Sequence, residues 1–247
     1  MYKDNILLDN SEIMLNTSNI KKNEEKITNN ISVTDIELNL SEARKINKGK
    51  GKYITIKFNK EKVDNELEIL LNTISDSFKK ILKYYKITKV PKVLFVGLGN
   101  KDFACDKFGS TIIEKICLDD NSYKIYKNVL GSTNIKSTDF IRNLTGIIDV
   151  DLVVVFDSLK AESTERLGKT IQIATTGLSP GSAFSKKVSI IDQKTIKKPV
   201  INVGIPTIIN IKKEAGLNED LIVTTNDIDM LVDNLSTIIS ISINRIF

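Results

Sequence analysis

Lys92–Gly109 reads KVLFVGLGNKDFACDKFG. A short continuous apolar run, 92–96, ends in Gly97-Leu98-Gly99, and Phe108, Ile112, Ile113 and Ile116 follow at helical spacing. That order predicts a buried parallel strand, a tight turn and a helix. Outward from it, KYITIKF (52–58) alternates like a strand. Val63, Leu67, Leu70, Leu71, Ile74, Phe78, Ile81 and Leu82 trace one helical face. TDFIRNLTGII (138–148) reads as a helix capped by Thr138 or Asp139. DLVVVFD (151–157), KTIQIA (169–174) and PVINVGIP (199–206) read as strands, and a last helix starts near Asn226. Strands alternating with helices predict an α/β domain with a mixed, mostly parallel sheet flanked by helices. Residues 1 to about 50 are rich in Asn, Lys, Glu, Ser and Thr without a clear apolar period, and read as a flexible or loosely docked extension.

The chain has no histidine, which removes Ser-His-Asp and Cys-His catalysis and the usual imidazole ligands of catalytic zinc. Chemistry must then run on carboxylates, lysines, hydroxyls or thiols. Cys105 and Cys117 are too few for a disulfide framework and fit a reducing compartment. The N-terminus lacks the basic start and apolar stretch of a signal peptide, and no run reaches the length of a membrane span. A formal charge of +5, with Lys and Glu interleaved, does not make a nucleic-acid groove. The expectation is a cytoplasmic protein without membrane or direct nucleic-acid partners.

The glycine turn fails both nucleotide fingerprints. Asp102 stands where the dinucleotide motif needs a third glycine, and no Gly-Lys-Ser/Thr follows. The turn instead presents Asp106, while Asp157 closes the run VVVFD. In a parallel sheet both strand ends open to one edge, where ligands bind. Two carboxylates meeting there can divide one proton, one acting as base on water and the other as acid to a leaving nitrogen. The alternative is that Asp157 caps a turn and Asp106 caps a helix starting near Lys107. Asp102, Asp106 and Asp157 could also surround a hard cation. Cys105, beside an acidic residue, lacks a base to activate it. Ser182 with Lys186 and Ser158 with Lys160 are possible Ser-Lys dyads, although Lys186 sits in a polar stretch. TTGLSPGS (175–182) reads as a connector or as a segment lying against an extended peptide.

The chain resembles the germination proteases of spore-forming bacteria. The resemblance rests on VGLGN (96–100) with Asp106 beyond it, on FDSLKAESTERLGKTIQIATTGLSPGS (156–182), on PVINVGIPT (199–207) and on LIVTTNDIDMLVDNLSTII (221–239). These blocks cover roughly residues 50–247. The resemblance implies a fold like that of hydrogenase-maturation proteases and an atypical aspartic endopeptidase without cofactor or metal, with Asp106 and Asp157 catalytic. Gly97, Gly99 and Asn100 would shape the loop carrying Asp106, and Gly177, Gly181 and Ser182 would line a peptide cleft. It further implies small acid-soluble spore proteins as substrates, a homotetramer in the spore core, and a self-processing precursor. SVTDIELNLSEAR (32–44) resembles the processing region, which implies a propeptide over 1–35, cleavage near Asp35-Ile36 and a single peptidase domain over 36–247. Departures from the pattern are Ala104-Cys105 for the usual Thr-Pro, Lys136 for an acidic residue, and a nearly absent insertion after GIPT (204–207). A non-catalytic paralogue that binds a partner and a metal-dependent maturation protease are the competing readings.

Overall fold

The computed structural model describes residues 20–127, 135–161, 163–178, 190–211 and 221–247. Their strands are β1 (Lys22–Lys26), β2 (Ile31–Leu38), β3 (Gly51–Phe58), β4 (Val93–Leu98), β5 (Ser122–Lys127), β6 (Leu152–Ala161), β7 (Thr170–Ala174), β8 (Val200–Asn210) and β9 (Ile222–Val223). Six helices accompany them: α1 (Leu40–Lys45), α2 (Leu67–Tyr84), α3 (Phe108–Lys115), α4 (Ser137–Ile147), α5 (Gln193–Ile196) and α6 (Ile228–Asn244). One sheet runs in the order β1-β2-β3-β7-β8-β6-β4-β5, with β9 pairing β8.

The sheet is mixed and the chain is α/β, as expected. Its parallel pairings, β8-β6, β6-β4 and β4-β5, join the three strands that carry the apolar runs, β4, β6 and β8, to the edge strand β5. The other five pairings are antiparallel, so "mostly parallel" describes this central block and not the whole width. The outer antiparallel flank, β1 to β3, comes from the N-terminal region and is joined to the centre by β7, which runs against both β3 and β8. Residues 22–45, expected to be loosely attached, form β1, β2 and α1, and β2 pairs with β3 along its whole length.

The central strands are apolar on both faces because both are covered. Leu152, Val154 and Phe156 pack with Phe95 beneath α2, α3 and α6. Val153 and Val155 pack with Leu94, Val96 and Leu98 on the opposite face, against Ile141 of α4 and Ile196 of α5. Helix α4 begins one residue before Thr138, and its N-cap position is Lys136, with no side-chain cap. Thr138 and Asp139 lie inside it.

Candidate active site

Strands β4 and β6 lie side by side and parallel, with Gly97 level with Phe156, so their C-terminal ends reach the same edge. Helix α3 sits directly on β4. A Cβ on Gly97 would fall 2.1 Å from the Gly109 carbonyl oxygen, and one on Gly109 would fall 2.1 Å from that of Leu98. The two glycines let backbone meet backbone. Gly97 is thus a packing position beneath α3.

Gly99 serves the site itself. Its φ is +112°, and a Cβ there would lie 2.1 Å from the Asp106 carbonyl oxygen. The chain folds back through a 3-10 turn, Ala104–Asp106. The Asn100 N–H donates to the Asp106 carbonyl oxygen at 3.1 Å and to its carboxylate Oδ2 at 2.8 Å. Asp106 therefore does not cap α3, whose N-cap position, Lys107, has no side-chain cap. It accepts from the loop that presents it.

Three neighbours fix this loop. The Tyr126 hydroxyl of β5 donates to the Gly99 carbonyl at 2.9 Å and accepts from the Lys101 N–H at 3.0 Å. The Thr207 hydroxyl of β8 donates to the Cys105 carbonyl at 2.6 Å. The Lys107 ammonium pairs with Asp229 on α6. Tyr126 and Thr207 are contributions the sequence reading missed. Tyr126 lies on a strand, SYKIYK, that carries no apolar run, because β5 is the sheet edge.

Asp157 does not end its strand. β6 continues to Ala161, so Asp157 does not cap a turn and is 4 % exposed. Its Oδ1 accepts from the Ser158 N–H at 3.0 Å. Burial pushes its carboxyl well above the ordinary range, and the charge of Asp106 pushes it further. Asp106 is raised to about 6 by burial, partly offset by the Asn100 N–H. Besides its own burial, Asp157 thus carries the cost of ionising beside the negative charge of Asp106.

The other candidates separate from this pair. The Cys105 thiol is pushed up by burial and by Asp106, which makes it a poorer nucleophile. The Ser158 hydroxyl is buried without a hydrogen-bond partner, so Lys160 does not activate it. Among the described residues no group of three His, Cys, Asp or Glu side chains is arranged to hold a metal ion, and Asp102, Asp106 and Asp157 do not form one. Gly177 lies away from the carboxylates. Ala174 is level with Asn202 and Val155, and β7 runs antiparallel, so residues beyond it lead away from Asp157. A Cβ on Gly177 would meet Ile190 at 2.2 Å, a packing contact. Gly181, Ser182 and Lys186 lie outside the described residues. Asp35 and Ile36 lie within β2, with Ile36 buried and the Asp35 carboxylate 2.6 Å from the Lys52 ammonium.

Comparison with known proteins places the chain in a family. The family described as Germination protease matches residues 8–215. The chain belongs to the germination protease family. Its members are peptidases. The germination protease of Clostridium acetobutylicum is 29 % identical over 87 % of this chain and 84 % of its own. That of Geobacillus sp. strain WCH70 is 30 % identical over 73 % of this chain, which spans about half, 53 %, of that relative's length. Among solved structures, the [NiFe] hydrogenase maturation protease HycI of Thermococcus kodakarensis aligns with a TM-score of 0.40 at 14 % identity, over 62 % of this chain and 92 % of that one. Among the described residues no helix is long and apolar enough to cross a membrane.

Proposed function

We propose that this family member is an aspartic-type endopeptidase of the spore core that degrades small acid-soluble spore proteins during germination. The observation that carries the reading is the Asp106–Asp157 pair, two carboxyls from distant parts of the chain raised by burial, one raised further by the other's charge. Ionised Asp106 takes a proton from a water molecule. The water oxygen attacks the carbonyl carbon of the substrate peptide bond. Asp157 delivers its proton to the leaving nitrogen, and the C–N bond breaks. Asp106 then holds the proton taken from water, and its passage to Asp157 restores the starting state. Neither aspartate is free to wander: the Asn100 and Ser158 N–H groups hold one each.

The precursor, cleavage near Asp35–Ile36 and the homotetramer belong to the same proposal. Cleavage at that bond requires β2 to leave the sheet, because it is paired with β1 on one side and β3 on the other. The region that matches the family, residues 8–215, spans Asp35 and Ile36 as well as both aspartates.

The test is cleavage of a purified small spore protein across pH, with and without chelator. The expected kcat/KM rises through pH about 6 as Asp106 ionises and falls on the basic side as Asp157 loses its proton. Chelator is expected to leave it unchanged. Loss of cleavage with chelator, restored by a divalent ion, would instead support metal-assisted hydrolysis.

A further inference from the structure

Strand β6 outruns its neighbour β4. Their last level pair is Gly97 with Phe156, and β4 ends at Leu98, while β6 continues to Ala161 beside β8. Main-chain groups along β6 alternate between the two neighbours. The Leu152 N–H donates to the Lys92 carbonyl, on the β4 side, and the Val153 N–H to the Pro199 carbonyl, on the β8 side. By the same alternation Ser158 and Lys160 turn their N–H and C=O groups toward the lane that β4 has left. The shift in register between Leu159 and Lys160 inserts Thr207 on β8 and leaves the order along β6 unchanged.

A further rung of the β4–β6 ladder would join the Ser158 N–H to the Leu98 carbonyl and the Asn100 N–H to the Ser158 carbonyl. Level pairing stops short of it. The chain turns at Gly99, the Asn100 N–H goes to Asp106, and the Ser158 N–H goes to the Asp157 carboxyl. Among the described residues nothing bonds the Ser158 carbonyl or the Lys160 N–H on this side. Both carboxyls stand at the inner end of the lane: Asp157 precedes Ser158, and Asp106 holds the N–H that would have filled it. Burial falls off outward. Leu152–Asp157 are buried, whereas Ser158 and Lys160 are half-buried. The loop into which β4 turns lies at the surface, with Lys101, Asp102 and Phe103 exposed.

We infer that the lane beside Ser158–Lys160 takes the substrate, an extended stretch of polypeptide that pairs in parallel with β6 in the place of β4. One substrate residue, level with Leu159, donates its N–H to the Ser158 carbonyl and accepts from the Lys160 N–H. A strand rises about 3.3 Å per residue, so that residue lies within about three residues of the bond cut at Asp106 and Asp157. The inference rests on the peptidase reading for the chemistry at the inner end. The open groups are those of a sheet ladder, and their complement is the main chain of another extended segment.

Lys160→Pro deletes the N–H that faces the lane and no bond to β8. Lys160→Ala changes the side chain alone, so the two variants are compared with each other. Both are made in full-length protein, and the Kd of a fluorescein-labelled small spore protein is measured in an Asp157→Asn background that does not cut it. The Kd of the Pro variant is expected about tenfold above that of the Ala variant, and kcat/KM, measured without Asp157→Asn, lower by about the same factor. A second measurement needs no change in the lane. A synthetic spore-protein peptide is N-methylated at one amide at a time, and one amide besides that of the cleaved bond, within about three residues of it, is expected to raise Kd about tenfold when methylated. Equal Kd for the Pro and Ala variants overturns the proposal. So does a methyl scan in which no such amide responds, or the absence of saturable binding. Should Lys160→Pro fail to fold, the methyl scan decides. A dimer seen by sedimentation that Lys160→Pro dissociates, with the spore-protein Kd unchanged, assigns the edge to a second copy of this chain and also overturns it. The two readings fail separately. Wild-type cleavage that neither Lys160→Pro nor N-methylation beyond the cleaved bond affects removes the lane and leaves the peptidase. A Kd raised by Lys160→Pro, with no cleavage by wild type, removes the peptidase and leaves the lane.

Discussion

Asp157→Asn lowers kcat by about 10³-fold and leaves the fold intact. An amide cannot deliver the proton that the leaving nitrogen needs, and loss of general acid–base work of this kind typically costs 10²–10⁴-fold. The fold survives because the Asn Oδ1 can still accept from the Ser158 N–H. The same variant carries a stability signature whose sign follows from linkage. The folded state holds the Asp157 proton more tightly than the unfolded chain does. Its contribution is therefore complete below the ordinary carboxylate pKa and is lost as pH rises toward the raised folded value. The Asn variant escapes that loss. Its Tm advantage over wild type should grow from pH 4 to pH 8, by about 2–4 °C for each kcal/mol recovered in a chain of this size. Calorimetry at the two pH values, beside the cleavage assay, checks both halves. A catalytically dead variant with a pH-independent Tm difference would mean that Asp157 is not held protonated.

Gly99→Ala should lose both stability and activity. Its φ of +112° is outside the range that a side chain tolerates, and the added Cβ would sit 2.1 Å from the Asp106 carbonyl oxygen. The obstacle is backbone, so no side-chain rotation relieves it. The loop must open, which breaks the two hydrogen bonds from the Asn100 N–H to Asp106. We expect about 3 kcal/mol of destabilisation from strain and lost bonds. Because displacing a reacting group by about 1 Å can cost 10²-fold, kcat/KM should fall at least that far in whatever fraction remains folded. Gly146→Ala is the control. It lies on α4 with nothing within 4 Å of the added Cβ, so it should be neutral or slightly stabilising. Denaturant melts of the two variants side by side give the comparison. Equal effects at Gly99 and Gly146 would mean that the turn is not what holds Asp106.

What the sequence made legible follows from where each residue sits. The runs at 93–96 and 152–156 are apolar on both faces because helices cover both, and such runs announce themselves without a period. They carry the two aspartates at or beyond their ends, so the pair could be singled out from the chain alone. β2 was not legible for the same reason in reverse. Its inward residues change face along its length, with Ile31 and Val33 in one cluster and Ile36 and Leu38 in the other, so no alternation marks it. The parallel character of the sheet was overestimated because β1 and β2 come from that unread segment and because β7, although read as a strand, runs against both of its neighbours. Gly177 was placed at a peptide cleft because its turn-rich loop suits a segment lying against an extended peptide, but the strand before that loop runs against its neighbour and leads to the opposite edge. Tyr126 carries no signal in the sequence. It acts through a register, β5 beside β4, that only the assembled sheet defines.

Whether Asp106 and Asp157 share one proton is measured directly by a ¹³C NMR titration of aspartate-labelled protein, with the two carboxyl signals assigned by Asp106→Asn and Asp157→Asn. The Asp106 signal is expected to titrate near pH 6, the Asp157 signal to stay protonated past neutrality, and the Asp157 step to move down in pH once Asp106→Asn removes the neighbouring charge. Two signals that both titrate near pH 4, each indifferent to the loss of the other, would contradict a shared proton.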